Sequence, residues 1–180
     1  MRRDGGHIPG GSRCCHAPRH LAYFDSWDVL TKLSVGPARV SRVDLATGNS
    51  VKRLDVVGAV IVENGRVFCT QRGPGTLHGY WEFPGGKLEA GERPEDALTR
   101  EIHEELACHV EVGDLVVTTT HLYEFAEVTL TTYYCTLAQG RPELSEHQAS
   151  VWLKPQELLS LGWAPADVPA VHQIVADFAR

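Results

Sequence analysis

The chain reads as an α/β fold, a mixed sheet with helices on both faces, and three stretches predict it. Residues 54–62, LDVVGAVIV, form an apolar, β-branched run of strand length. Residues 94–106 place Leu98, Ile102 and Leu106 at four-residue intervals, an apolar stripe along a helix. Residues 128–137, VTLTTYYCTL, alternate as a β-rich strand does. Strands and helices interleaved in this order favour a layered α/β domain.

Taken in order, Leu54–Val62 is the first strand, and Arg66–Arg72 returns beside it across Glu63-Asn64-Gly65. Gly73 to Tyr80 is a loop, and Trp81–Pro84 is a short strand leading into Gly85-Gly86. Pro94 suits the first helical turn, where Glu95 and Asp96 complement the positive end of the dipole. Val110–Val117, Leu122–Phe125, Val128–Leu137 and Val151–Leu153 read as strands. Helices are expected near Pro155–Ser160 and Pro169–Ala179.

A chain of 180 residues with 43% apolar content suits one domain with one core. No stretch approaches the ~20 apolar residues of a membrane span. Five cysteines, Cys14, Cys15, Cys69, Cys108 and Cys135, form no C-x-x-C pair. Reduced thiols in a cytoplasmic protein are the simplest reading. Residues 1–50 are rich in Gly, Arg, Pro and His near their start and lack apolar periodicity. They read as a poorly ordered N-terminal extension, with the folded domain at 51–180. Net charge is −6 overall, with seven Lys/Arg against four Asp/Glu in residues 1–50. The body from Val51 onward is therefore acidic, which argues against a nucleic-acid polymer as its main ligand.

That acidity is concentrated. Residues 86–105 carry seven acids and three bases. On a helix Glu101, Glu104 and Glu105 fall at about 0°, 300° and 40°, an arc of roughly 100°. Like charges so placed destabilise an isolated helix, and clustered carboxylate oxygens are what a hard divalent cation prefers. The residues alone therefore point to Mg²⁺ or Mn²⁺ chemistry on a phosphate ester, against the plainer reading of a solvated acidic helix.

The same segment resembles the Nudix box, G-x5-E-x7-R-E-U-x-E-E-x-G-U, where U is bulky and apolar. Gly86, Glu92, Arg100, Glu101, Ile102, Glu104 and Glu105 fill their positions, and Cys108 takes the last one. Ala107 stands where the family has a helix-ending glycine, a change expected to shift the helix end modestly. The resemblance implies the Nudix fold, an α/β/α sandwich. It also implies a cation site of Glu101, Glu104 and Glu105, helped by the carbonyl of Gly85 or Gly86. Arg100 would pair with a carboxylate such as Glu92 to hold the loop–helix junction, making Glu92 scaffold for the motif. Glu146 resembles a downstream glutamate that MutT-like members use as metal ligand or base. An exposed loop glutamate is the alternative, and Glu105 is the competing base. His78, His121 and His147 remain possible phosphate or substrate contacts.

YWEFPGGKLE and GWAPADVP resemble MutT-like nucleoside triphosphate pyrophosphohydrolases, in which water attacks the β-phosphorus. In that branch Asp167 matches a base-contacting position, Arg72 and Phe83 line the same pocket, and Glu82 adjoins it. Core packing is an equal reading for Phe83; Trp81 and Trp163 are core or pocket rim. An ionised Asp167 only accepts hydrogen bonds, which suits cytosine N4 and tilts the reading toward CTP pyrophosphohydrolase-like members. An 8-oxo-dGTP substrate stays open. The expected protein is a cytoplasmic Mg²⁺- or Mn²⁺-dependent enzyme, monomer or weak homodimer, that sanitises nucleotide pools. The rivals are a Nudix enzyme for ADP-ribose or a similar diphosphate, and a non-catalytic nucleotide sensor. VKRLDVVGAVIV at Val51 resembles the opening of many MutT-like chains, so the functional start is expected there. Mass spectrometry of the native protein should find an N-terminus downstream of Met1; one mapped to Met1 would refute this.

Overall fold

The computed structural model describes residues 51–179, and the expectations for residues 1–50 lie outside them. β1 (Arg53–Glu63) and β2 (Arg66–Gln71) form an antiparallel hairpin. Asn64 and Gly65 close it at φ 52° and 71°. Two successive left-handed residues match the twist of a two-residue hairpin, and Asn-Gly is the pair that adopts them most readily.

The arms of that hairpin then part. β1 and β2 pair at Val62↔Val67 and Glu63↔Arg66. Nearer its start β1 pairs with β4 (Gly85–Lys87), while β2 pairs with β3 (Trp81–Glu82). At the crossing, the Pro84 carbonyl accepts from the Ala59 N–H at 2.8 Å. Residues 81–87 thus fill the fork, with Glu82 on one prong and Gly85-Gly86 on the other. Gly85-Gly86 reads in the sequence as a junction, yet it pairs as a strand. A Cβ on Gly85 would overlap the Val57 carbonyl, so glycine is what lets the two backbones meet.

On its other edge β1 runs parallel to β6 (Glu127–Gln139), from Arg53↔Glu127 to Ile61↔Cys135. β5 (His109–Leu122) lies antiparallel to β6, and β7 (Ala149–Leu153) antiparallel to β2. The sheet order is β3-β2-β1-β6-β5, with β4 on β1 and β7 on β2, the mixed sheet expected. One long β5 replaces the two expected strands. Its threonine run pairs across to β6, with Thr118–Thr131 and Thr120–Thr129 hydroxyl contacts at 3.2 and 3.3 Å. Tyr123–Phe125, expected as strand, instead forms the turn between β5 and β6.

Side chains of β1 alternate between two cores. Val57, Ala59 and Ile61 face α1 (Pro94–Leu106), meeting Leu98, Ile102 and Leu106, all three at 0% exposure. Burying each such side chain contributes about 1.5–3 kcal/mol. Val60 faces the other way, into a core with Phe83, Leu158, Trp163 and α2 (Val168–Asp177). Pro155–Ser160 is a 3-10 helix rather than an α-helix, capped by Glu157 accepting from the Lys154 N–H at 2.8 Å. Cys69, Cys108 and Cys135 are free and buried, and burial pushes the Cys69 and Cys135 thiols up to about 12. Among the described residues no helix is long and apolar enough to cross a membrane.

Ala107 does not move the end of α1. It takes the left-handed conformation itself, φ 51°, and its N–H reaches the His103 carbonyl at 3.1 Å. An alanine there bears a strain of about 1–2 kcal/mol that glycine lacks. Part of this is offset by the looser unfolded chain that glycine gives. Ala107→Gly should therefore raise stability, by up to about 1 kcal/mol, read as a higher urea midpoint at unchanged slope.

Candidate active site

The hairpin fork meets the C-terminal half of α1 at Gly85 and Gly86. Glu105 turns inward there, its Oε2 accepting from the Gly85 N–H at 3.2 Å. The Glu101 carboxylate lies so close to Gly86 that a Cβ would overlap it. Burial pushes the Glu101 carboxyl up, partly offset by its bond from Arg100. Burial drives Glu105 well above the usual carboxylate range, and repulsion from Glu82, Glu101 and Glu146 adds to it. Three carboxylates therefore bear on Glu105 from around the fork.

Arg100 binds the outer part of this cluster. Its Nε and Nη2 donate to the two oxygens of Glu92 at 3.0 and 2.9 Å, the expected pair. Nη1 also donates to Glu101 Oε1 at 2.8 Å, and Nη2 to the Lys87 carbonyl at 3.2 Å. Glu104 stands 3.8 Å from the same guanidinium and is largely exposed. The Arg100 hydrogen bonds hold Glu92 below the usual carboxylate range. Glu146 is exposed on the loop between β6 and β7. Among the described residues no three His, Cys, Asp or Glu side chains converge as a closed ligand set. The donor chemistry nonetheless fits a hard cation. Crowded carboxylates repel, and the bare backbone of Gly86 lets the Glu101 carboxylate lie against it, close to Glu105.

A second cluster adjoins the first. Glu82 pairs with Arg72 on one oxygen and lies 3.1 Å from His147 Nε2 on the other. His147 is therefore not a surface contact: its side chain is 6% exposed. Phe83 resolves as core, its ring tilted against Trp163 at 4.7 Å between centroids, with only its backbone N–H turned to Asp167 Oδ1 at 3.0 Å. Trp163 is buried with its indole N–H on the Leu158 carbonyl at 2.7 Å, and Trp81 packs half-buried against the same core. His78 is exposed, and His121 lies edge-on to Tyr123 at 4.5 Å.

Asp167 requires a correction. Burial at the start of α2 pushes its carboxyl up to about 8, with Glu82 adding to the rise and the Phe83 bond and Arg72 opposing it. Near neutrality it holds its proton, so the acceptor-only argument for cytosine fails. A protonated carboxyl accepts on one oxygen and donates from the other, as an asparagine amide does. Tyr123 was missed in the sequence. Its hydroxyl accepts from the Ala166 N–H at 3.0 Å, beside Asp167, and it feels the charges of Asp167, Arg72 and Glu82. Nothing in the spacing of LYEF signals this, because the contact is made by the turn after β5.

A sequence model of the NUDIX domain matches residues 56–173. The chain belongs to the Nudix hydrolase family. A CTP pyrophosphohydrolase of Escherichia coli (strain K12) is 35% identical over 127 residues, 70% of this chain and 94% of that protein. An 8-oxo-dGTP diphosphatase of Proteus vulgaris is 39% identical over 102 residues, 55% of this chain and 88% of that protein. Among solved structures, the DNA mismatch repair protein MutT of methicillin-resistant Staphylococcus aureus 252, a Nudix hydrolase, superposes with a TM-score of 0.59. It is 47% identical, and the match covers 71% of this chain and 98% of that one.

The buried acid of this Nudix domain makes its stability depend on pH. Below the ordinary Asp value of 3.8 both folded and unfolded states hold the Asp167 proton. Between there and about 8 only the folded state holds it, so rising pH favours unfolding, by at most about 1.4 kcal/mol per unit. Above about 8 both are ionised and the loss levels off. Asp167→Asn has no such proton. Its stability relative to wild type should climb from about pH 4 to about pH 8 in urea unfolding, then stay constant.

Proposed function

We propose that this Nudix hydrolase is a Mg²⁺- or Mn²⁺-dependent nucleoside triphosphate pyrophosphohydrolase. Water and a triphosphate give a nucleoside monophosphate and diphosphate, and the substrates are oxidised or modified nucleotides. The observation that carries this reading is that one short segment reaches both clusters. The Gly85 N–H donates to Glu105 at 3.2 Å and the Phe83 N–H to Asp167 at 3.0 Å, so carboxylates suited to a cation adjoin a residue suited to a base edge.

Within that reading Glu101, Glu104, Glu105 and Glu146 hold the cation with the carbonyl of Gly85 or Gly86, and the ion would neutralise phosphate charge and acidify attacking water. Arg100 and Glu92 keep Glu101 and the loop in place. Glu105, which burial inclines to take up a proton, serves as base, with Glu146 as the alternative. Arg72 and Glu82 line the pocket, Phe83 supports it through its backbone, and Asp167 reads the base edge. A protonated Asp167 can meet cytosine or 8-oxoguanine, and the relatives from Escherichia coli and Proteus vulgaris are named for one each. The free thiols support a cytoplasmic setting, and the acidic chain supports a mononucleotide over a polymer. A monomer or weak homodimer is the assembly proposed.

Purified protein with Mg²⁺ should release diphosphate from dCTP, 5-methyl-dCTP or 8-oxo-dGTP faster than it releases AMP from ADP-ribose. Glu101→Gln and Glu104→Gln should each lower turnover by about 10²-fold or more at unchanged unfolding midpoint. Wild-type turnover in either variant with metal present would sink the assignment.

A further inference from the structure

We propose that Ser145 and His147 are positioning residues that clasp the loop between β6 and β7, so that Glu146 stands over the carboxylates of α1. This rests on the reading of Glu146 as a cation ligand. Leu144, Ser145 and Glu146 are exposed, so no burial of their own fixes this stretch. Two sets of bonds on either side of Glu146 do.

On the preceding side, the Ser145 N–H and hydroxyl both donate to the Glu105 carbonyl, at 3.2 and 2.8 Å. The Glu143 N–H donates to the Leu106 carbonyl at 2.9 Å. These are among the carbonyls that a helix end leaves without partners, so the loop caps α1 at the residue that carries the inward glutamate. On the following side, His147 inserts its ring against Glu82 at 3.1 Å, and the Gln148 N–H donates to the Gln71 carbonyl at 3.0 Å. Gly73 lies beneath: a Cβ there would stand 3.0 Å from the Glu146 carbonyl. The backbone at Glu146 is thus gripped between α1 and the β2–β3 prong.

His147 is placed for this bond and not for packing alone. A carboxylate only accepts, so Nε2 carries the proton toward Glu82. Nδ1 is then left buried without a partner. An apolar ring would avoid that cost, so what His147 contributes here is its Nε2 bond to Glu82.

The test is Mn²⁺ binding to the full chain, read from the paramagnetic resonance signal of free Mn²⁺, with metal-free thermal unfolding alongside. His147→Ala and Glu146→Gln should each weaken binding about tenfold, the lower end of what an outer partner of a metal site contributes. The double variant should bind no worse than Glu146→Gln alone, because the histidine acts through the glutamate. His147→Gln, whose amide can donate to Glu82, should recover most of the affinity. Ser145→Ala enters the same cycle and replaces His147→Ala if that variant does not fold. Wild-type affinity in His147→Ala, losses that multiply in the double variant, or no Mn²⁺ binding by the wild type would each overturn the proposal. Failure of the wild type to cleave any triphosphate would refute the proposed substrate class and leave this cycle unaffected.

Discussion

Arg100 lies where several demands meet, and much of the site depends on its one guanidinium. It donates to both oxygens of Glu92, to Glu101 and to the Lys87 carbonyl, and it stands within 3.8 Å of Glu104. The planar fork of donors suits this, since a lysine ammonium could not bind Glu92 in two-point fashion while reaching Glu101. These bonds tie the loop after β4 to the middle of α1. That tie presses Gly86 against Glu101 and leaves no room for a Cβ. Loss of the arginine would leave partly buried carboxylates uncompensated, which costs more than the pair contributes when intact.

The remaining charge is left deliberately unbalanced by the fold. Glu105 and Asp167 are both buried, both pushed up, and both repelled by Glu82. Such groups oppose folding near neutral pH, and the two apolar cores on either face of β1 offset them. Groups with values displaced by burial and by a named neighbour are what acid–base chemistry requires. The price in stability and the readiness to bind a cation or exchange a proton therefore come from one arrangement.

The fork of the hairpin gives this arrangement its shape. Because β3 pairs with β2 and β4 with β1, the few residues from Glu82 to Gly86 reach both Asp167 and the carboxylates of α1. Pro84 marks the change of partner. The exposed loop bearing Glu146 is then drawn over the same place by Ser145 and His147.

What the sequence determined by itself was local and periodic. The stripe of Leu98, Ile102 and Leu106 sets a helix, the Asn-Gly turn a hairpin, and the spacing from Gly86 to Glu105 sets the glutamates on one side of that helix. These follow from backbone geometry within a few turns or pairs, so they are legible without a fold. The tertiary structure decided what depends on distant partners. Gly85–Lys87 is a strand only because β1 lies beside it, and Thr118–His121 only because β6 does. His147 is a buried clasp only because Glu82 sits opposite, and Tyr123 comes beside Asp167 only through its bond from Ala166. Asp167 keeps its proton because of burial, which no pattern of neighbours in the chain encodes. Charge type is written in the residue; its pKa is written in what surrounds it.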